Sequence, residues 1–289
     1  MGLGLQMFVN ALLLGGLYAL MGIGFSLQWG ISGIINLSYG AMVLLGSYLS
    51  LIIFNMFHID PFISMFVTGA ILFLLGAFIY RFTLQPLLKG GIVFTLIVTF
   101  AIRLIIENII LLVWSADYRT IRVSYAGSNF QFLGAFVPLT KFLTFIIAGV
   151  IIYLTYQFMM NTKIGKGIQA VALDKEGAMA VGVDDQKMYL INFALGTALG
   201  GVTGTLWATI YSFSPHVMDV IIGRVFIIAI LGGLGNIWGA AAGGLLLAFV
   251  ETSGAIFIGS HWQEAIGLVI MVLVLLLRPH GLIGKKFFG

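Results

Sequence analysis

The sequence predicts an all-α integral membrane protein, a polytopic helical bundle of about eight or nine membrane segments, some of them broken or re-entrant. Its 289 residues are 61% hydrophobic and 8% charged, whereas average soluble domains carry about a quarter of charged residues. The apolar runs are continuous and about 20 residues long, the length at which a helix crosses a bilayer. They lack the short alternating strands of a membrane barrel. We expect one transmembrane domain over residues 1–289.

The membrane segments are expected in apolar windows that follow one another along the chain. Two of these windows, 34–57 and 219–235, contain glycine and polar residues in mid-run, so either could be broken or re-entrant. No Lys or Arg precedes the first window, whereas a cleavable signal peptide has a basic start. We therefore expect the first helix to be retained. The windows lie at 6–28, 34–57, 61–84, 92–114, 141–160, 188–212, 219–235, 236–258 and 262–278.

The distribution of Lys and Arg predicts the orientation of the chain, because cytoplasmic loops carry an excess of basic residues. If the polar loop 161–187 is cytoplasmic, alternating spans place nine basic residues inside and three outside. The N-terminus is then outside and the C-terminus is cytoplasmic. The inside residues are Arg81, Lys89, Lys163, Lys166, Lys175, Lys187, Arg278, Lys285 and Lys286, and the outside residues are Arg119, Arg122 and Lys141.

The stretch 115–140 is expected to form an external loop with a small hairpin. In TIRVSY, Ile121, Val123 and Tyr125 alternate with polar residues, which is the period of a β-strand. The following AGSN supplies a turn before FQFL. The hairpin could be a lid that joins two helices, or it could help to dock a partner.

The cytoplasmic loop 161–187 holds eight of the 24 charges of the chain. Asp174 is placed to cap a short helix that starts at Lys175, and Glu176 suits the positive end of that helix. Gly182 can adopt the left-handed conformation that ends a helix. Two short helices along the membrane surface could dock into a groove on a soluble partner, or they could lie on the lipid headgroups. Their predicted apolar patches are Ile168, Val171 and Ala172, and Ala178 and Met179.

Four regions, in chain order, resemble the permease subunits of branched-chain amino acid (leucine/isoleucine/valine) ABC importers. The first is GLYALMGIGFSLQWGISGIINLSYGAMVLLGSYL at 16–49, and the second is LDKEGAMAVGVD in the cytoplasmic loop. The third is ILGGLGNIWGAAAGGLLLAFVE at 230–251, and the fourth is VLVLLLRPHGLIGKK at 272–286. Together they make the resemblance specific, although each motif alone would not.

The resemblance implies a permease subunit in the lipid bilayer of a bacterial or archaeal plasma (inner) membrane. Its implied partners are a related or identical permease, two ATP-binding cassette ATPase subunits and an extracytoplasmic solute-binding protein. The implied substrate is a branched-chain or other small amino acid, and no nucleic acid is expected. The family's ATPase-coupling motif falls on Asp174, Lys175, Glu176, Met179 and Gly182.

The sequence contains no G-x-x-x-x-G-K-[ST] phosphate loop, so an ATP-driven mechanism needs ATPases on other chains. We therefore expect a transport subunit that is not an enzyme and that holds no cofactor itself. ATP and magnesium would be bound by the partner ATPase subunits.

Polar and glycine positions inside two windows are candidates for a substrate pathway. Polar groups at membrane depth need partners or a water-lined cavity, because lipid offers no hydrogen bonds. A broken helix could aim free backbone N–H groups at a substrate carboxylate, or the same side chains could bond to neighbouring helices. The glycines could form a second wall or a hinge, or allow tight packing. The candidates are Asn36, Ser38, Tyr39, Gly40, Gly232, Gly233, Gly235, Asn236 and Glu251.

Ionisable residues at membrane depth are costly unless they are paired or hydrated. Arg103 and Glu107 are four residues apart on one helix face, so they could form an internal ion pair or bind a substrate carboxylate. Arg224 and Glu251 could pair across helices, or Glu251 could contact the pathway.

A row of glycines predicts close contact between helices. Gly196, Gly200 and Gly204 repeat every four residues, which places three positions without side chains on one helix face. We expect a neighbouring helix to pack directly against this face.

The sequence alone also leaves other functions open. Within the importer class, the substrate could be urea or another small solute. A secondary transporter that works without ATP would need carboxylates at depth, for which Glu107 and Glu251 are the candidates. An intramembrane enzyme would need a nucleophile or a metal. The four histidines have no second ligand at metal spacing and the chain has no cysteine, so we expect no catalytic residue and no metal.

Overall fold

The computed structural model describes residues 2–87, 91–132, 134–233, 235–278 and 280–283. Eight of the helices in this part of the chain are long and apolar enough to cross a membrane. The sixteen-residue α10 is a shorter ninth helix, and it packs among α1, α2, α11 and α12. The prediction of an all-helical membrane bundle with eight or nine segments is therefore confirmed.

The helices follow the predicted windows closely, with two short helices between the fifth and sixth windows. A π-helical turn, Tyr80–Leu84, joins α3 to α4, and a 3-10 turn, Ser260–Trp262, precedes α12. The helices are α1 (Gly2–Ser32), α2 (Tyr39–Phe57), α3 (Pro61–Ile79), α4 (Gln85–Leu87), α5 (Ile92–Trp114), α6 (Leu139–Asn161), α7 (Lys163–Leu173), α8 (Lys175–Ala180), α9 (Asp185–Ile210), α10 (Val217–Gly232), α11 (Ile237–Phe257) and α12 (Gln263–Leu277).

The centre of the bundle is formed by α1 and α9, which pack against each other and against most other long helices. The predicted glycine face of α9 lies at these contacts. A Cβ atom added to Gly204 would lie 1.7 Å from the carbonyl oxygen of Val43 on α2, and one added to Gly196 would lie 2.6 Å from the carbonyl oxygen of Gly24 on α1. The expected direct backbone packing is confirmed.

The second window is broken, as the sequence indicated. Helix α1 ends at Ser32, Gly33 has a φ of 66°, and α2 starts only at Tyr39. The connecting residues run as non-helical chain, and Asn36 and Ser38 within them are buried. The N-terminus of α2 therefore begins inside the bundle.

The external stretch contains a hairpin, but not at the predicted strand. Strand β1 (Asn129–Phe132) pairs antiparallel with β2 (Ala135–Pro138). Residues 120–125, which are all described, form no strand, so that part of the prediction is wrong. Their alternation has another cause: Ile121 and Val123 are buried anchors of an extended segment that has no partner strand in this region.

The two ends of α1 identify the two ends of the bundle. Near its start, the Gln6 side chain is bonded to Phe136 of the hairpin, with Oε1 accepting from the backbone N–H at 2.8 Å. At its far end, the Ser32 hydroxyl accepts from Asn192, which lies early in α9 just after the loop 161–187. The hairpin and this loop thus lie at opposite ends.

The C-terminal segment lies at the end of the loop 161–187. The N–H of Leu282 donates to Leu231 at the end of α10, and the adjacent Gly235 N–H donates to Ser26 near the end of α1. This arrangement of termini agrees with the predicted topology, while the side of the membrane stays a prediction. Three of the predicted inside residues, Lys89, Lys285 and Lys286, lie outside the described residues.

Candidate functional site

The loop 161–187 folds into the two short helices expected, and the second of them, α8, starts at the predicted residue, Lys175. Asp174 precedes α8, and its Oδ1 accepts from the Gly177 N–H at 3.0 Å, as expected of a helix-capping carboxylate. Glu176 lies in the first turn. Gly182 ends the unit with a φ of 86°, and its N–H donates to the Met179 carbonyl at 3.0 Å. The local structure predicted for this motif is confirmed.

The apolar residues of this loop divide differently from the predicted patches. Ile168, Val171 and Ala178 are buried against the protein, whereas Ala172 and Met179 are exposed. The exposure of Ala172 and Met179 agrees with the predicted surface patches, whereas Ile168, Val171 and Ala178 do not reach the surface, because helical spacing does not say where the neighbouring chain passes. The large apolar side chains left exposed on this loop are Leu173 at 86%, Val181 at 79%, Met179 at 45% and Ile164 at 39%.

A salt bridge links α8 to the transmembrane helix α9. The Lys175 Nζ lies 2.9 Å from Asp185 Oδ2 and 5.7 Å from the centre of the Tyr189 ring. The hydrogen bond to Asp185 raises the pKa of Lys175, so its ammonium is charged throughout the neutral range. Because α9 packs on α1, α2 and α3, a displacement of α8 can reach the centre of the bundle.

The polar residues of the broken second window bond to the protein. Asn36 donates to Gln28 Oε1 at 2.9 Å, and its Oδ1 accepts from the Ser38 N–H at 3.0 Å. Gln28 in turn donates to the Phe193 carbonyl on α9 at 2.9 Å. These bonds fix the non-helical segment between α1 and α2 against α1 and, through Gln28, against α9. Gln28 was missed by sequence reasoning, although a Gln inside an apolar helix is a signal for such a partner.

Two further pathway candidates, Tyr39 and Gly40, fix the position of the first turn of α2. The Tyr39 hydroxyl donates to the Met21 carbonyl at 3.0 Å. A Cβ atom on Gly40 would lie 2.9 Å from the carbonyl oxygen of Met218, so the first turns of α2 and α10 pack backbone to backbone. Asn36, Ser38 and Tyr39 therefore act first as structural residues that position these two helix starts.

The glycine-rich segment after α10 is a tight turn, not a break at mid-depth. Gly233 and Gly235 have φ values of 91° and 77°, which glycine adopts readily. Asn236 caps α11 by accepting from the Gly239 N–H at 3.1 Å, and it donates to the Ile283 carbonyl of the C-terminal segment. Gly232 packs on Gly239. The helix interruption is confirmed, and its position at the end of the bundle favours tight packing.

Glu251 lies in a buried ion pair. Its Oε1 is 3.0 Å from Arg224 Nε, and its Oε2 accepts from the Tyr18 hydroxyl at 2.7 Å. The Arg224 guanidinium also packs over the rings of Tyr18 and Trp207. Of the two options left by the sequence for Arg224 and Glu251, the structure shows the pair across helices.

Arg103 has a partner that sequence spacing did not reveal. Its guanidinium bonds to the carboxylate of Asp219 at the start of α10, while Glu107 Oε2 lies farther away, 3.9 Å from Nε. The Arg103–Glu107 pair was thus only part of the arrangement. Asp219 is 116 residues away along the chain, so only the fold brings it to α5. Its neighbour Met218 touches Gly40, so the middle of α5 and the starts of α2 and α10 converge.

The family match and the relatives named below agree on one family. The family described as "Branched-chain amino acid transport system / permease component" matches residues 7–276. The high-affinity branched-chain amino acid transport system permease protein BraD of Pseudomonas aeruginosa is 28% identical over 97% of this chain and 96% of that protein. The corresponding protein LivH of Escherichia coli is 25% identical over 97% and 96%.

A solved structure shares the fold. The chain aligns with PsaBC from Streptococcus pneumoniae, solved in complex with Fab, with a TM-score of 0.51 and 14% sequence identity. The alignment covers 98% of this chain and 92% of that one. At this identity the likeness supports the helical architecture alone.

Proposed function

Because the chain belongs to the family of branched-chain amino acid transport permeases, we propose that it is the membrane permease subunit of an ATP-driven ABC importer for branched-chain or other small amino acids. It forms the translocation pathway with a second, related or identical permease. The chain is a transport subunit and not an enzyme, and ATP and magnesium bind to two separate ATPase subunits. An extracytoplasmic solute-binding protein delivers the substrate.

The observation that carries this proposal is the arrangement of the loop 161–187. Leu173, Met179 and Val181 are exposed apolar side chains at the ends of α7 and α8, on a loop that also carries many charges. Such surfaces mark interaction sites. A short helix of this kind suits insertion into a groove of a soluble partner. We assign this surface, with Asp174, Lys175, Glu176 and Gly182, to ATPase coupling.

Coupling is carried from α8 into the membrane. ATP binding and hydrolysis in the ATPases move α8, and the Lys175–Asp185 salt bridge passes the motion to α9. Helix α9 contacts α1, α2 and α3, so its displacement shifts the bundle between outward-open and inward-open arrangements. Direction arises because the partners bind the two arrangements with different affinity.

The location follows from the same assignment. The chain spans a bacterial or archaeal plasma membrane several times, with its N-terminus outside and its C-terminus in the cytoplasm. The hairpin end then faces outward, where Tyr118 and Phe136 are exposed and available to the solute-binding protein. The loop 161–187 faces the ATPases.

The ion pairs weaken the case for a secondary transporter. Such a protein needs carboxylates that bind and release a proton or sodium ion. Glu251 has both oxygens bonded, to Arg224 and Tyr18, and Glu107 lies beside Arg103. Glu251 and Glu107 therefore each already have an arginine as neighbour, which disfavours their binding of a transported ion.

The test is co-purification of this chain with the permease, ATPase and binding-protein subunits encoded beside it, followed by uptake into proteoliposomes. We expect the ATPases to co-purify and labelled leucine uptake to require ATP, with urea as the comparison solute.

Leu173→Glu and Met179→Glu should abolish ATPase binding. Ile164→Glu is the matched control, because Ile164 is exposed on the opposite face of α7 from Leu173. Uptake without ATP, or unchanged ATPase binding by the two variants, would overturn the proposal.

A further inference from the structure

A line of polar residues runs along α5. Thr95, Thr99, Arg103 and Glu107 are spaced four residues apart, so they lie along one side of the helix. Thr95 and Thr99 are buried, and the Thr99 hydroxyl accepts from the Leu37 N–H at 3.2 Å in the break before α2. The polar side of α5 thus faces the broken segment of the second membrane window.

The charged part of this line lies at the centre of the membrane. Arg103 is the middle residue of the 23-residue α5, and Asp219 reaches it from the first turn of α10. The Asp219 side chain is 69% exposed on the surface of the subunit. A carboxylate at the bilayer centre is costly in lipid and faces the bundle interior or a water-filled cavity. The surface around Asp219 therefore does not face lipid in the assembled protein.

The cluster carries an excess of negative charge. Arg103 contributes one cation, while Asp219 and Glu107 contribute two carboxylates, and both have Arg103 as their ion-pair partner within the described residues. The Arg103 and Glu107 side chains are partly exposed, at 16% and 23%, so all three side chains of the cluster reach the surface of the subunit. Such a cluster attracts a ligand that brings its own ammonium group and can also offer a carboxylate to the arginine.

We propose that Arg103, Asp219 and Glu107 form a mid-membrane station for a zwitterionic amino acid on its way through the pathway. The substrate ammonium binds the carboxylates of Asp219 and Glu107, and the substrate carboxylate binds the guanidinium of Arg103. The identity of the substrate rests on the function proposed above, whereas the station itself rests on the geometry of the cluster.

The exchange keeps every charge paired. When the zwitterion enters, the Arg103–Asp219 bond is replaced by one bond from each partner to the substrate, so no isolated charge is left at the bilayer centre. An isolated charge at this depth is costly unless it is paired or hydrated. When the substrate leaves, Arg103 and Asp219 pair with each other again, so neither is left unpaired to bind a free ion.

Exposure to water is tested by labelling with a thiol reagent. The chain has no cysteine, so one introduced residue is unique on this subunit. Asp219→Cys and Glu107→Cys are compared with Ile105→Cys in the assembled importer in proteoliposomes, using a cationic, water-soluble thiosulfonate. Ile105 is two residues from Arg103 on the opposite face of α5 and is exposed. We expect labelling of both test positions at least about tenfold faster than at Ile105, because the thiolate forms only where water reaches. Equal rates would overturn the proposal.

Recognition is tested by transport. Asp219→Asn should lower leucine uptake about tenfold or more, because a neutral amide cannot form an ion pair with the substrate ammonium. Asp219→Glu should restore most of the uptake. Asp117→Asn is the control, because Asp117 is an exposed carboxylate 3.8 Å from Arg119 outside the membrane segments.

The outcomes separate this proposal from the assignment of the importer. If the wild-type complex shows no ATP-dependent leucine uptake, the proposed function has failed. If it does and Asp219→Asn transports like wild type, the station is wrong. Loss of complex assembly by Asp219→Asn and Asp219→Glu alike would show a purely structural ion pair and would also overturn the station.

Discussion

The Nε atom of Arg224 lies 3.0 Å from the Oε1 atom of Glu251, and the Glu251 side chain is only 2% exposed. This pair joins α10 to α11, and the Tyr18 hydroxyl on Oε2 adds α1 to the same contact. The short helix α10 thereby keeps a fixed position relative to the long helices, although its 16 residues do not reach the length of the eight candidate membrane spans.

Removing one partner of this pair should destabilise the protein strongly. Glu251→Ala leaves Arg224 without its carboxylate in a buried setting, and we expect a loss of about 3–5 kcal/mol in the free energy of unfolding. The double variant Arg224→Met, Glu251→Leu should recover most of the loss, because no isolated charge remains. The measurement is the temperature at which the monodisperse peak is lost in size-exclusion chromatography after heating. A single variant as stable as wild type would contradict the assignment.

Gly204→Ala should disrupt the packing of α2 on α9. The new Cβ atom would lie 1.7 Å from the Val43 carbonyl oxygen, and backbone cannot move aside as a flexible side chain can. Gly149→Ala in α6 is the matched control, because nothing lies within 4 Å of its added Cβ atom. Alanine is favoured over glycine in a helix by about 1 kcal/mol, so the control should be unchanged or more stable. The same heating assay measures both, and equal stability of the two variants would refute the packing argument.

Asp174→Ala should uncouple ATP hydrolysis from the arrival of substrate. The variant loses the carboxylate that caps α8, a change that costs a helix about 0.5–2 kcal/mol, so the first turn should fray. The measured quantity is the ratio of ATPase activity with and without the loaded binding protein. Asp184→Ala is the control, because Asp184 caps α9 in the same way, accepting from the Lys187 N–H at 3.1 Å. A similar loss of stimulation in both variants would argue against a special role of α8.

Tyr125→Phe should loosen the external loop from the membrane helices. The Tyr125 hydroxyl donates to Asp60 Oδ2 at 2.5 Å, and the other oxygen of Asp60 caps α3 by accepting from the Phe62 N–H. A hydrogen bond to a charged group contributes about 1.5–3 kcal/mol, so hydrogen exchange in residues 119–128 should become faster. Tyr118→Phe, at an exposed tyrosine seven residues earlier, should leave this exchange unchanged.

The same bond predicts a dependence on alkaline pH. Burial, with the neighbouring Asp60 carboxylate, raises the pKa of the Tyr125 hydroxyl above its usual value of about 10. Since the pKa is raised in the folded state, the stabilisation is complete below about pH 10 and is lost as the pH rises through the folded value. The difference in melting temperature between wild type and Tyr125→Phe should therefore be constant from neutral to mildly alkaline pH and shrink above it. A difference that changes near pH 7 would contradict this origin.

The local features of the candidate site were predictable because they depend on neighbours in the sequence. Asp174 caps the helix that follows it, and Gly182 adopts the left-handed conformation eight residues later. The break before α2 and the turn after α10 were visible as glycine and polar residues inside apolar runs. In each case the backbone needs a hydrogen bond or a conformation that one nearby residue type supplies.

Other features could not be predicted because they depend on which segments meet. The alternation of Ile121 and Val123 suggested a strand, but an extended segment becomes a strand only if another one lies beside it. Asp219 showed no local signal as the partner of Arg103, and no local signal showed that Ile168 and Val171 of α7 would be buried against the protein. Periodicity places a residue on a face of its own helix, while the neighbour of that face is set by packing.

The sequence alone determined that this protein is a helical membrane protein with eight or nine segments, a resemblance to transport permeases, a capped helix in the loop 161–187 and no phosphate-loop motif. These properties follow from apolar length, from charge along the chain and from short motifs, all of which are local. Only the tertiary structure decided that Glu251 is paired with Arg224, that Asn36 is bonded to Gln28, and that Arg103 in the middle of α5 meets Asp219. Those contacts join residues that are far apart in sequence or lie on different elements, and low dielectric makes such charges depend on the partner that the fold supplies.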